Sequence, residues 1–221
     1  MNIKNNILEF QESLQGTSCK LIAVSKTKPI SAILEAYEAG IKSFGENKVQ
    51  ELAEKSTQLP ADIEWHMIGH LQRNKIKYIA PFIYLIHSVD SLRLLKEINK
   101  EGKKNQRIIN CLFQMHIAEE ETKFGLSETE LMELIDSEDF NQLKNIMIKG
   151  LMGMATFTED KEKVRNEFRS LHKIFEKIKG LPPRENLSFS ELSMGMSGDY
   201  KIAIEEGSTM IRVGSSIFGN R

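Results

Sequence analysis

Cysteines and long apolar runs are both scarce in this sequence. Cys19 and Cys111 are the only cysteines, each close to apolar residues (Leu21-Ile22 and Leu112-Phe113) and outside any CxxC pair, so we expect buried, reduced thiols. The most apolar stretch, residues 78–89, is broken by Pro81 and is too short to cross a bilayer. The opening residues lack the apolar core of a signal peptide. We therefore expect no membrane segment and a cytoplasmic location.

A block of charge of one sign is also missing. The 30 basic and 31 acidic side chains nearly cancel, which argues against nucleic acid as a partner. No low-complexity stretch occurs, and the 40% hydrophobic and 28% charged residues are typical of globular proteins. At 221 residues the chain can bury one substantial core, and we expect residues 1–221 to form a single domain.

Strand-like and helix-like segments alternate after an amphipathic helix predicted at residues 2–14. Eight strand–helix units favour a single (β/α)₈ barrel of the TIM type with an N-terminal helix, and an open doubly wound sheet is the alternative. Because these units use nearly the whole chain, we expect no second β domain. Strands are predicted at 20–26, 43–45, 64–68, 84–89, 107–115, 146–154, 187–194 and 210–213, and helices at 31–39, 47–57, 74–79, 91–101, 128–136, 160–179 and 198–205.

Lys26 is predicted to lie at the carboxyl end of the first strand, which in a barrel is the end that carries the active site. Partial desolvation there and the neighbouring Lys28 would both favour a neutral amine, the form that attacks an aldehyde. The alternative is a lysine that only marks the end of a strand. The pattern alone leaves both interpretations open.

The last two strands are each followed by small residues that could hold a phosphate. Residues 193–199 pass from a strand into a helix and leave free backbone N–H groups near Ser197. After the final strand, Gly214 and Ser215 would let the backbone approach a ligand closely. Phosphate sites in barrels often use these two loops, although two ordinary turns would give the same pattern.

Two further polar residues are placed near the same end of the barrel. Arg212 lies between Ile211 and Val213. If those two aliphatic residues face the helices, the guanidinium points into the barrel and needs a partner, either a carboxylate or the ring nitrogen of a bound pyridine. Asn47 follows the second strand and lies near the pocket, or it simply caps the next helix.

The histidines give no metal site or catalytic triad. His66 and His70 form an HxxxH spacing, but Met67 stands where a zinc protease has glutamate and Gly69 interrupts the segment. The surrounding pattern is strand-like, whereas that motif needs a helix. We therefore expect no bound metal.

Several segments together resemble the pyridoxal phosphate homeostasis proteins, which are small cofactor-binding barrels related in fold to the N-terminal domain of alanine racemase. The resemblance extends over nearly the whole chain. It is carried by AVSKTKP at 23–29, FGEN at 44–47, WHMIGHLQ at 65–72, LSMGMS at 192–197 and GSTMIRVG at 207–214.

The resemblance implies pyridoxal 5′-phosphate (PLP) as the cofactor and gives each candidate residue a role. Lys26 would form the Schiff base, Arg212 would face the pyridine nitrogen, and Asn47 would line the pocket. The phosphate would be held by Ser197, Gly214 and Ser215. Many members have threonine at position 215, and the serine of this chain keeps the hydroxyl.

The implied function is a carrier or buffer that limits free PLP and hands it to apo PLP enzymes through transient contacts, without being an efficient enzyme itself. A monomer or weak dimer is expected. One alternative is a PLP-dependent amino-acid racemase or decarboxylase, because the pocket resembles that of a racemase. A second alternative is a barrel lyase or aldolase that uses Lys26 on a sugar phosphate.

Overall fold

Eight parallel strands form a closed barrel in the computed structural model, which describes residues 2–118 and 124–219. Ala23 in the first strand pairs with Phe44 in the second and with Val213 in the last, so the ring closes. The barrel prediction is confirmed, and the open-sheet alternative is wrong. The strands are β1 Lys20–Val24, β2 Ser43–Glu46, β3 Glu64–Met67, β4 Leu85–Val89, β5 Ile109–Gln114, β6 Ile146–Met152, β7 Leu187–Ser193 and β8 Met210–Val213.

Helices surround the barrel in the order expected from the sequence. Within the described ranges they are α1 Ile3–Ser13, α2 Ile30–Glu38, α3 Val49–Ser56, a 3₁₀ helix at Arg73–Tyr78, α4 Leu92–Lys104, α5 Glu128–Asp136, α6 Glu138–Asn141, α7 Lys161–Lys179, α8 Tyr200–Glu205 and α9 Ser215–Phe218. The one-turn helices α6 and α9 are too short to show a helical period. None of the helices in the described residues is long and apolar enough to span a membrane.

Most predicted strands run one or two residues too far at their carboxyl ends. β1 ends at Val24 rather than at Lys26, and β6 ends at Met152 rather than at Met154. Apolar residues continue beyond the last pairing of the sheet, because the loops at this end pack around a cavity that Met154 helps to line. Sequence pattern does not distinguish an apolar strand end from an apolar loop.

Two apolar layers flank the strands. A small cluster fills the inside of the barrel and includes Ile22 and Met210, whereas Ile211 and Val213 belong to the large layer between strands and helices. Strand side chains alternate between the two faces, so Arg212 points into the barrel, as predicted. Cys19 and Cys111 are buried and free, also as predicted.

Candidate functional site

A cavity of about 740 Å³ opens at the carboxyl ends of the strands. This volume lies within the usual range for small-molecule sites, roughly 300–1,000 Å³. Its walls come from the ends of β1, β2, β3, β6, β7 and β8 and from the loops that follow them. The residues predicted from the sequence to bind the cofactor all line it: Lys26, Asn47, Ser197, Arg212, Gly214 and Ser215.

Lys26 lies in the turn that follows β1 and is half-buried at the cavity. Its side chain makes no hydrogen bond or ion pair with any residue in the described ranges. The neighbouring Lys28 is directed elsewhere, because its Nζ donates to the carbonyl oxygens of Phe218 and Gly219 at 3.1 and 2.9 Å. Of the two lysines, Lys26 is therefore the one whose amine is available to a ligand.

The start of α9 and the loop after β7 meet at the other side of the cavity. The Ser215 hydroxyl donates to the Ser197 hydroxyl oxygen at 3.2 Å, with Ser215 exposed and Ser197 half-buried. The N–H groups in the first turn of a helix have no acceptor within that helix. Two hydroxyls and these backbone donors together offer a suitable cradle for a phosphate group.

Gly214 allows this cradle to lie close to β1. A Cβ atom at position 214 would be 3.2 Å from the carbonyl oxygen of Val24 and 3.3 Å from the Val24 Cβ. Both distances are shorter than ordinary van der Waals contact. A larger residue would push the last strand and its serines away from the end of β1, and hence away from Lys26.

Asn47 is held at the cavity by a backbone contact that the sequence did not reveal. A Cβ atom at Gly69 would lie 2.4 Å from the Asn47 carbonyl oxygen and 2.8 Å from its Cα, so only glycine fits there. The helix after β2 begins at Val49, with Lys48 in the cap position and no side-chain cap bond. The alternative interpretation of Asn47 as a helix cap is therefore wrong.

Arg212 is held inside the barrel by uncharged groups. Its Nη1 donates to the Ser193 hydroxyl at 2.6 Å and its Nη2 to the Gly153 carbonyl at 3.0 Å. Ion pairing with a carboxylate, one of the two partners considered from the sequence, is not found within the described part of the chain. Burial lowers the pKa of Arg212 to about 10, and the charge of Asp199 partly opposes this shift.

Two buried histidines extend this network across the barrel. His87 Nδ1 lies 3.0 Å from Ser193 Oγ, and His87 Nε2 lies 2.8 Å from His66 Nδ1. Burial lowers the pKa of His66 to about 3 and the pKa of His87 well below its usual value, so both rings are neutral at physiological pH. A neutral imidazole has one donor and one acceptor nitrogen, and the chain of bonds ending at Arg212 therefore keeps these side chains in fixed orientations.

The HxxxH histidines do not come together. His66 lies inside the barrel bonded to His87, whereas the side chain of His70 is 55% exposed. No group of three or more histidine, cysteine, aspartate or glutamate residues in the described ranges could hold a metal ion. His66 instead acts as a structural partner within the polar network.

Comparisons with known proteins place the chain in a family. The model for the N-terminal domain of alanine racemase matches residues 1–221. A pyridoxal phosphate homeostasis protein of Aquifex aeolicus is 41% identical over 94% of this chain and 90% of its own length. The chain belongs to the pyridoxal phosphate homeostasis protein family. Another member, from Haemophilus influenzae, is 37% identical over 100% of this chain and 97% of its own, so the resemblance stated from the sequence is confirmed.

Solved structures agree with this membership of the pyridoxal phosphate homeostasis protein family. PipY of Synechococcus elongatus, solved with PLP bound, has a TM-score of 0.88 at 34% identity and covers 98% of this chain and 100% of PipY. An alanine racemase of Clostridium difficile has a TM-score of 0.75 at 14% identity, and this chain covers 57% of it. That second likeness shows a shared barrel fold alone.

The loop after β6 forms part of the cavity wall and was missed from the sequence. Ala155, Thr156 and Thr158 line the cavity, and Glu167 in α7 fixes this loop by accepting from the Thr156 N–H and hydroxyl, both at 2.6 Å. Phe157 lies in the same loop and is 98% exposed. No spacing rule connects Glu167 to Thr156, and the strand predicted from the sequence extends through residue 154, with nothing that marks the loop that follows.

Proposed function

We propose that this protein binds PLP as a Schiff base on Lys26 and serves in PLP homeostasis as a carrier or buffer rather than as an efficient enzyme. The observation that carries the proposal is the meeting of Lys26, Arg212 and the Ser197–Ser215 pair in one cavity. Family membership supports it, since PipY is a relative solved with PLP bound. Bound PLP would supply a reactive aldehyde and, in enzymes, an electron sink.

Each of the six residues has a role in this proposal. The Lys26 nitrogen replaces the aldehyde oxygen, which leaves as water. The Ser197 and Ser215 hydroxyls bind the phosphate, and Gly214 lets that cradle lie close to β1. Arg212 faces the ring nitrogen, and Asn47 lines the wall of the pocket.

The absence of efficient catalysis is part of the proposal. A PLP enzyme needs acid/base groups placed at the reacting carbon, and tyrosine commonly supplies such a group in racemases of this fold. None of the tyrosines, all of which lie in the described ranges, lines the cavity. A fixed Arg212 cation beside the ring nitrogen would also disfavour protonation of that nitrogen, although racemases tolerate such an arrangement.

A carrier must also release its cargo, and an open cavity suits exchange. Transient contact with apo PLP enzymes is the proposed route of transfer, with the protein itself a monomer or weak dimer. The nearly balanced charge offers nothing that would draw the protein to nucleic acid. PLP is thus the proposed ligand, and apo enzymes are the proposed partners.

Borohydride reduction followed by peptide mapping tests the proposal directly. We expect the phosphopyridoxyl group on Lys26, and we expect Lys26→Ala to abolish both the adduct and the visible absorbance of the loaded protein. Lys77→Ala, which removes another lysine from a peripheral helix, is the control and should behave as wild type. An adduct found mainly on Lys28 or Lys75 would refute the assignment.

A further inference from the structure

A buried ionic cluster lies just outside the barrel, beneath the turn that carries Lys26. Lys55 in α3 donates to Glu46 at 2.8 Å and to Glu51 at 2.7 Å. The Glu46 side chain is fully buried, and the Lys55 side chain is 7% exposed. Glu46 shares a strand face with Phe44, which packs in the layer between strands and helices, and the three charged side chains do not line the cavity.

The cluster forms hydrogen bonds with the residues on both sides of Lys26. The Ser25 hydroxyl donates to Glu46 at 2.7 Å, and the Ser25 carbonyl accepts from Lys55 at 2.8 Å. On the other side, the Thr27 N–H donates to Glu51 at 2.5 Å. Three hydrogen bonds to charged groups, which are stronger than neutral ones, therefore fix the residues before and after the lysine.

This turn needs such restraint. Thr27 has a φ of +64°, in the left-handed region that a β-branched residue rarely adopts. A conformation of this kind persists only where the surroundings impose it. The Lys26 side chain has no hydrogen bond or ion pair of its own to described residues, so its direction depends on the backbone of the turn.

The fold alone gives no reason for charges at this place. Burial raises the pKa of Glu46, with Lys55 and Ser25 acting in the opposite direction, and Glu46 Oε2 has no hydrogen-bond partner in the described structure. Apolar residues of similar size would generally stabilise such a position as well or better. Burying these charged side chains thus costs free energy that apolar packing of α3 against β2 would not.

We propose that Glu46, Glu51 and Lys55 are positioning residues for Lys26, holding the Ser25–Thr27 turn so that the amine is directed at the bound aldehyde. This inference rests on the proposed role of Lys26 as the attachment residue. It predicts that loosening the turn slows capture of PLP by Lys26 and redistributes the adduct to other lysines, even when the protein remains folded.

Glu51 offers the cleanest test, because its side chain is 22% exposed and its loss leaves no deep cavity. Glu51→Ala removes the acceptor of the Thr27 N–H, whereas Glu51→Gln retains an acceptor oxygen of the same shape. We expect the second-order rate constant for PLP capture, followed by absorbance, to fall about 10- to 100-fold in Glu51→Ala and to stay within about twofold of wild type in Glu51→Gln. Hydrogen exchange at the Thr27 amide should accelerate in Glu51→Ala alone.

A second variant separates positioning from stability. Combining Ser25→Ala, Glu46→Leu and Lys55→Met replaces the buried ions by apolar side chains and leaves no orphaned Ser25 hydroxyl. We expect this variant to melt cooperatively at or above the wild-type temperature and still to capture PLP at least about 10-fold more slowly. Glu101→Ala is the matched control for Glu51→Ala, since Glu101 is also a helix carboxylate bonded to a lysine, but its side chain bonds to Lys104 and not to the Ser25–Thr27 turn.

The outcomes distinguish this inference from the proposed function. An adduct outside Lys26 in the wild-type protein would refute the proposed function itself. If wild-type protein is modified on Lys26 but Glu51→Ala or the apolar variant captures PLP at the wild-type rate, only the positioning role is wrong. A Glu51→Gln variant as slow as Glu51→Ala would likewise overturn it, because the acceptor oxygen would then not be the reason for the effect.

Discussion

Single residues at the cavity act through the space they leave free, and Gly214 is the clearest case. A Cβ there would meet Val24 at 3.2 and 3.3 Å, so Gly214→Val should force the end of β8 away from β1 and separate the serines from Lys26. We expect the Kd for PLP to rise at least about tenfold, which corresponds to about 1.4 kcal/mol. Equilibrium titration by absorbance measures this change.

The control for Gly214 is a glycine with room around it. A Cβ at Gly180, at the end of α7, would meet its nearest atoms at 3.5 Å, an ordinary contact. Gly180→Val should bind PLP with wild-type affinity. If Gly214→Val also kept wild-type affinity, the placement of the phosphate between Ser197 and Ser215 would be wrong.

For Arg212, the sequence predicts the direction of the side chain but not its hydrogen-bond partners. Alternation along β8 predicts that the guanidinium points inward, because Ile211 and Val213 belong to the outer layer. Its partners, Ser193 and Gly153, come from β7 and from the residue that follows β6. Which residues of neighbouring strands lie opposite each other depends on the register of the sheet. The residue spacing within a single strand does not determine that register.

At the scale of elements, β3 and β4 carry the two buried histidines. The folded protein keeps His66 and His87 neutral, since burial lowers the pKa of both, that of His66 to about 3. Below pH 6.5 the unfolded chain binds protons on both rings and the folded protein does not, so acidification favours unfolding. We expect the free energy of unfolding to fall by up to roughly 1.4 kcal/mol per pH unit for each histidine between about pH 6.5 and pH 5.

Urea unfolding of the PLP-free protein at several pH values measures this slope. His66→Gln should be less stable than wild type at pH 7 and should show a shallower decline on acidification, because one of the two proton sites is gone. His70→Gln is the control, since that side chain is 55% exposed and should leave the slope unchanged. Equal slopes in wild type and His66→Gln would contradict the neutral, buried state of His66.

Elements with a clear period were predictable, and those fixed by tertiary contacts were not. The predicted and observed bounds agree for α5 at Glu128–Asp136 and for β8 at Met210–Val213, where capping residues or flanking turns are explicit. The sequence pattern predicts that β1 extends through Lys26, whereas the strand ends at Val24 and the turn that follows is hydrogen-bonded to Glu46, Glu51 and Lys55. Those partners are distant in sequence and obey no local rule.

For the whole molecule, ring closure explains how residues far apart in sequence share one cavity. Parallel strands place all their carboxyl ends at the same rim, and β1 pairs with β8. Lys26 and the Gly214–Ser215 turn therefore come together although nearly the full chain separates them. The number and order of the predicted strands are enough to predict that these residues meet. The contribution of the β6–α7 loop to the cavity wall is not predictable, because nothing in the sequence of Ala155–Thr158 marks that loop as functional.

The residues that line the cavity predict whether the PLP-loaded protein catalyses reactions of amino acids. Its charged lining residues are Lys26, Lys28, Asp199 and Arg212, and Lys28 and Arg212 already donate to protein oxygens. No tyrosine of the chain, each of which is described, reaches it. A substrate carboxylate thus finds no free cation beyond Lys26 itself among the described lining residues. The lining carboxylate of Asp199 already accepts from the Met196 N–H at 2.6 Å, so the carbon to be deprotonated lacks the tyrosine that commonly serves as the second acid/base group.

We therefore expect that PLP-loaded protein incubated with each common amino acid yields no racemisation, carbon dioxide or keto acid at an enzymatic rate. Chiral chromatography and carbon dioxide release measure this, with an authentic alanine racemase as the positive control. Trace chemistry would be compatible with a carrier, because PLP itself is weakly reactive toward amino acids. Turnover of about one per second or faster, an ordinary enzymatic value, would mean that the cavity supplies the missing groups and that the protein is a PLP enzyme rather than a carrier.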